Sequence, residues 1–133
     1  MKKTYGGSCH CGAVKFHAAI DLAAGTAKCN CSLCFKTRNW MAFIPTSDFR
    51  LLEGEESLRD YQFGRKTIHH HFCGTCGTRV FARAVGPDGQ PTVAVRVNAL
   101  DGVDPAEVLS GPVKYFDMRH DNFRDPPAEN RHL

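Results

Sequence analysis

Apolar and polar residues alternate with a period of two along much of this chain. Val14, Phe16, Ala18 and Ile20 alternate with Ala13, Lys15 and His17, which predicts a strand with one buried face directly after CHCG. Trp40 to Ile44 is a short apolar run closed by Pro45, FRLLEG ends at Gly54, and SLRDYQFG carries Leu58, Tyr61 and Phe63 before Gly64. Each predicts a short strand bounded by a turn residue. In TIHHHFC, Ile68, His70 and Phe72 alternate with His69, His71 and Cys73, and TRVFARAV follows CGTCG at once. Two strands joined by a metal-binding turn are expected there. PDGQP then reads as a hairpin loop leading into TVAVRVNAL, where Val93, Val95 and Val97 share a face.

One segment alone reads as helical: in VDPAEVLSG, Asp104 is suited to the N-cap and Pro105 to the first helical position. After Phe116 the sequence turns polar, and DNFRDPPAENRHL has too little apolar content to order itself, so residues 118–133 are expected to form a loosely held tail. No repeat, low-complexity block or linker divides the chain. The expectation is a mainly β single domain with short helical turns and a core over about residues 4–117.

Length and charge narrow the function. At 133 residues the protein is one domain by size, and a domain of that size buries roughly two thirds of the surface its unfolded form exposes. The net charge of +3 is mild and its cations are spread out, so no footprint for nucleic acid stands out, while a small anion remains compatible. MKKTYGGSCHCG has no apolar stretch after its lysines, and no segment approaches the roughly 18 to 20 apolar residues that cross a bilayer. A cytoplasmic protein without a membrane partner is expected.

Seven cysteines change the picture. An odd number cannot all pair, and their clustering favours metal over disulfides. They fall into Cys9 and Cys11 in CHCG, Cys29, Cys31 and Cys34 in CNCSLC, and Cys73 and Cys76 in CGTCG. In extended backbone the C-x-C pattern turns both sulfurs to one side, and C-x-x-C does so through a tight turn. Gly12, Gly74 and Gly77 are placed to take positive φ and to aim backbone N–H groups at the thiolates.

The simplest partition is four plus three: Cys9, Cys11, Cys73 and Cys76 as a closed structural zinc site, and Cys29, Cys31 and Cys34 as a site whose fourth position takes water or substrate. Spacing leaves alternatives open: a second structural zinc completed by a histidine, one metal bound by another four cysteines, or an iron–sulfur cluster. His10, His69 and His71 are the candidate fourth ligands, with a surface role as the plainer reading of each. Lys28, Lys36 and Arg38 surround the trio, where they meet substrate carboxylates or are simply solvated. Trp40, Phe43 and Phe49 are assigned to core packing.

GGSCHCGAVKF, CNCSLC, SDFRLLEGEESLRDYQFG, HHFCGTCGTRVFAR and VRVNALDGVDP, in this order from about Gly6 to Pro105, resemble the glutathione-dependent formaldehyde-activating enzymes and their relatives, including centromere protein V. The resemblance implies a tent-like, mostly β fold with two zinc ions. It implies a structural zinc at Cys9, Cys11, Cys73 and Cys76 and a catalytic zinc at Cys29, Cys31 and Cys34. The implied activity is that of a carbon–sulfur lyase, in which the glutathione thiol adds to formaldehyde to give S-(hydroxymethyl)glutathione. FKTRNW after the central group, and CNCS where CHCS is common, look closer to the centromere-protein-V-like branch. That branch offers the alternative of a non-catalytic zinc module binding a thiol, a protein or nucleic acid.

Overall fold

A computed structural model describes all residues from 1 to 133. Ten strands form two sheets. The smaller sheet holds β1 (Lys3–Ser8), β2 (Lys15–Ile20) and β5 (Phe49–Glu53) in the order β1-β2-β5, all antiparallel. The larger comprises β3 (Thr26–Cys29), β4 (Trp40–Pro45), β6 (Leu58–Tyr61), β7 (His69–Cys73), β8 (Arg79–Val85), β9 (Pro91–Arg96) and β10 (Val113–Phe116). Its order is β10-β3-β4-β9-β8-β7-β6, antiparallel except for the β10–β3 pair. Two short helices complete the fold, α1 (Ser32–Thr37) and α2 (Pro105–Val108).

The alternation read from the sequence sets which side chains the two sheets share. Phe16, Ala18 and Ile20 of β2, Ala42 and Ile44 of β4, and Val93 and Val95 of β9 enter one buried cluster, joined by Val97 just beyond β9. Three rings hold the sheets together: Phe16 lies 5.4 Å from Phe49 and 6.3 Å from Phe81, and Phe49 lies 4.5 Å from Phe81. Phe16 and Phe49 come from the smaller sheet and Phe81 from the larger, so the cluster is the glue between layers. Gly7 faces Phe16 across the β1–β2 pair, and a Cβ there would stand 2.1 Å from the Phe16 ring. Only glycine lets that ring lie flat on β1.

The opposite face of the larger sheet carries a second, smaller cluster: Cys29, Cys34, Met41, Ala82 and Ala94, with Cys31, Phe116 and Met118 packed against it. Phe43, expected in the core, belongs to this outer side and is half exposed beside Phe116, at 6.4 Å. Its odd position in β4 points it away from the sandwich. Trp40 and Phe49 do pack on the main core.

Helix α2 starts as expected, with Asp104 accepting from the Ala106 N–H at 2.8 Å and Pro105 in the first turn. Helix α1 corrects the expectation of a single helical segment. Its N-cap is Cys31, whose sulfur accepts from the Cys34 N–H, a role normally filled by serine, threonine or aspartate and therefore not signalled by residue type. Beyond Phe116 the backbone makes a short 3₁₀ turn at Met118–His120, and Asn30 ties down its start by bonding Asp117 at 2.7 Å and accepting from the Arg119 N–H at 3.0 Å.

The inter-sheet rings make a direct prediction. Phe16→Ala is expected to lower stability by about 3 to 5 kcal/mol, measured by urea unfolding at saturating zinc. A loss below about 1 kcal/mol would mean that the sheets do not depend on this cluster.

Candidate metal centres

The seven cysteines converge into two groups. The sulfurs of Cys9, Cys11, Cys73 and Cys76 lie within 4.8 Å of one another, as do those of Cys29, Cys31 and Cys34. None is in a disulfide. Four sulfurs at zinc's usual bond length of about 2.3 Å in a tetrahedron stand about 3.8 Å apart. The quartet shows this spacing, with Cys9 to Cys11 at 3.7 Å and Cys11 to Cys73 at 3.8 Å. Its donor set and its edges therefore fit zinc.

Two turns build the quartet. The backbone leaves β1 and reverses through a turn closed by the bonds Gly12 N to Cys9 O, 3.1 Å, and Cys9 N to Val14 O, 3.0 Å. Cys9 and Cys11 thus meet through a turn, not through the extended geometry expected of C-x-C. The β7–β8 turn brings in Cys73 and Cys76, with Gly77 N bonding Cys73 O at 2.8 Å. Gly12 and Gly77 take positive φ as expected. Gly74 does not; it is small because a Cβ would sit 3.0 Å from Arg59 and 3.1 Å from the Ser57 carbonyl. The N–H groups that reach sulfur belong to neighbouring residues, Val14 to Cys9 at 3.2 Å and Thr75 to Cys73 at 3.3 Å. The Thr78 hydroxyl, 3.3 Å from Cys76, is the chief cause that lowers that thiol to about 5.

The trio is local. Cys29 ends β3, Cys31 caps α1 and Cys34 lies in its first turn. Each sulfur accepts one N–H: Cys31 N to Cys29, 3.3 Å; Cys34 N to Cys31, 3.3 Å; Asn39 Nδ2 to Cys34, 3.2 Å. Hydrogen bonding by Cys29 and then Cys34 lowers the Cys31 thiol to about 2. Cys29 is raised chiefly by hydrogen bonding with Cys31, and Cys34 first by hydrogen bonding with Cys29 and then with Cys31, with the negative charge of these neighbours adding to the shift. A cation among the three sulfurs removes that conflict.

No histidine or carboxylate joins either group. His69 pairs with Asp60, His71 packs on Phe81 at 5.0 Å, and His10 sits exposed between Cys9 and Cys11. The basic residues expected around the trio are partly committed elsewhere. Lys28 donates to the Leu133 carbonyl at 3.2 Å and lies over the Trp40 ring, and Arg38 reaches the same carbonyl at 3.4 Å.

The enclosed cations without partners are ones that sequence reasoning missed. Arg96 is paired across strands with Met41, two residues from Ala94 on the outer face of β9, and is 2% exposed. Its Nε and Nη1, Nη1 of Arg79 and Nδ1 of His70 are enclosed with no hydrogen-bond partner. The signal for Arg96 was present: Val93, Ala94 and Val95 form an unbroken apolar run, which marks a strand covered on both faces.

A Rhodobacter sphaeroides protein of known crystal structure is similar at 34% identity, with a TM-score of 0.69, covering 82% of this chain and 99% of that one.

The two groups differ in what they join. The quartet ties the β1–β2 turn to the β7–β8 turn, across both sheets, whereas the trio spans six residues. Native mass spectrometry should find two zinc ions in the wild type and one in a folded Cys34→Ser protein. Cys73→Ser should instead unfold, since a closed zinc site contributes on the order of 10 kcal/mol. Equal tolerance of both substitutions would contradict the division.

The model of the glutathione-dependent formaldehyde-activating enzymes matches residues 4–115, a span that includes both cysteine groups, and the chain belongs to that family.

Proposed function

We propose that the protein is a zinc-dependent enzyme of the carbon–sulfur lyase type, acting on a thiol adduct such as S-(hydroxymethyl)glutathione, with the quartet as its structural centre and the trio as its reactive one. The observation that carries this reading is the unsaturated trio: three sulfurs converge, and no fourth protein ligand completes them. The family's name supplies glutathione and formaldehyde as the reactants to test first. Zinc held by Cys29, Cys31 and Cys34 would supply a soft acceptor that favours the deprotonated form of an incoming thiol.

The protein's own groups prepare that position. The N–H groups of Cys31, Cys34 and Asn39 fix the three sulfurs and spread their charge. His70 is lowered to about 4, by burial first and then by Arg96 and Arg79, so it is neutral at pH 7. Arg96, lowered to about 10 chiefly by burial, remains a cation there. In the forward direction one S–C bond forms while the thiol's proton ends on the former aldehyde oxygen. The reverse step cleaves that bond and returns both molecules, with no redox change.

Cys31→Ala is expected to keep the quartet's zinc and the fold, seen by circular dichroism, while turnover of S-(hydroxymethyl)glutathione falls to the rate in buffer. Equal rates in wild type and variant would defeat the proposal. A wild type no faster than buffer would favour the non-catalytic zinc module instead.

A further inference from the structure

Arg96 is the largest of the fully buried side chains, and none of the protein's ion pairs includes it. Burying a guanidinium without a counter-charge is costly, and leaving its N–H groups unbonded adds to the cost. Arg79 repeats the pattern at the start of β8: its Nη1 is enclosed without a partner, and it forms no ion pair. Burial opposes the charge on both arginines, and Cys34 as a metal-bound thiolate would favour it on both.

The sheet register explains the juxtaposition. On the outer face, Ala94 of β9 pairs with Ala82 of β8, which pairs with His70 of β7. The two alanines are short, and they share one buried cluster with Cys29 and Cys34. Arg96 flanks this row on one side. His70 closes it on the other, stacked on Phe63 at 5.6 Å, which in turn stacks on Tyr61 at 6.0 Å. Three thiolates around a divalent ion carry one net negative charge; two arginines reverse that sign, and a neutral His70 leaves it reversed. A single thiolate at the metal neutralises that charge, yet it supplies no acceptor to the enclosed Nε and Nη1 of Arg96 or Nη1 of Arg79, which a second acceptor on the same ligand would satisfy.

We propose that Arg96, with Arg79 and His70, forms an anion subsite beside the three-cysteine centre that takes a carboxylate carried by the thiol ligand. This rests on the reading of the trio as a thiol-binding metal site, and it adds how one thiol is chosen over another. The planar guanidinium suits a carboxylate, which accepts two parallel N–H bonds. A neutral thiol of equal size leaves Arg96 unpaired and binds more weakly.

Isothermal titration calorimetry on the zinc-loaded protein, with mercaptoacetate, 2-mercaptoethanol and acetate as probes, tests this. Mercaptoacetate is expected to bind about tenfold or more tightly than 2-mercaptoethanol, the scale of one charged hydrogen-bond pair. Arg96→Gln should erase that ratio, mainly by weakening mercaptoacetate binding. Arg79→Gln, at a more exposed position, should reduce it by about threefold, which keeps a test available if the Arg96 variant misfolds. Equal affinity of the two thiols for wild type, or a ratio that survives in Arg96→Gln, overturns the subsite and leaves the thiol-binding centre standing. Equal binding of acetate and mercaptoacetate to wild type, lost in Arg96→Gln, with no binding of 2-mercaptoethanol, does the reverse. No binding by any probe overturns both.

Discussion

The constraint that organises the fold is the convergence of four sulfurs, which a metal ion would turn into a cross-link. The quartet brings the turn after β1 to the turn between β7 and β8, so metal bound there would fasten the three-stranded sheet to the seven-stranded one at residues 62 positions apart in the sequence. Beneath it the rings of Phe16, Phe49 and Phe81 fill the space between the layers. Each part supports the other. A 133-residue sandwich built of strands of four to seven residues has few long elements to hold its layers in register, and a site worth on the order of 10 kcal/mol is comparable with the entire stability of an ordinary domain.

With the scaffold fixed this way, the trio is released from holding anything together. Its ligands sit within one strand end and one helical turn, so metal there closes only a small loop. That freedom lets the site remain one ligand short. Its surroundings are built for charge: an N–H to each sulfur, a neutral histidine, and two arginines with enclosed, unbonded nitrogens. Such an arrangement is poor for stability by itself. It is coherent as a receptor for an anionic ligand.

Much of this was legible from residue order, for physical reasons. Strands β2, β4, β5, β6, β7, β8 and β9 lie where alternating or continuous apolar runs predicted strands, and the main core follows from them. The cysteine groups were legible because metal ligation demands fixed spacing. Strands β3 and β10 escaped notice because TAKC and VKYF are too short to show a period. Helix α1 was hidden by its cysteine cap, and Phe43 by the assumption that an aromatic in a strand faces the core. Lys28 and Arg38 drew attention by lying near the trio in sequence, yet both reach the Leu133 carbonyl. Arg96 lies 62 residues from Cys34 in sequence and approaches the trio only through the β4–β9 pairing, which no local pattern encodes.

The central claim is that one metal centre is closed by protein sulfur and the other is open to an outside thiol. X-ray absorption at the zinc edge of the fully loaded protein reads this directly, because it averages over both sites. The account predicts about three and a half sulfurs per zinc without thiol, rising to about four when a thiol is added. A value that stays the same on thiol addition would contradict it.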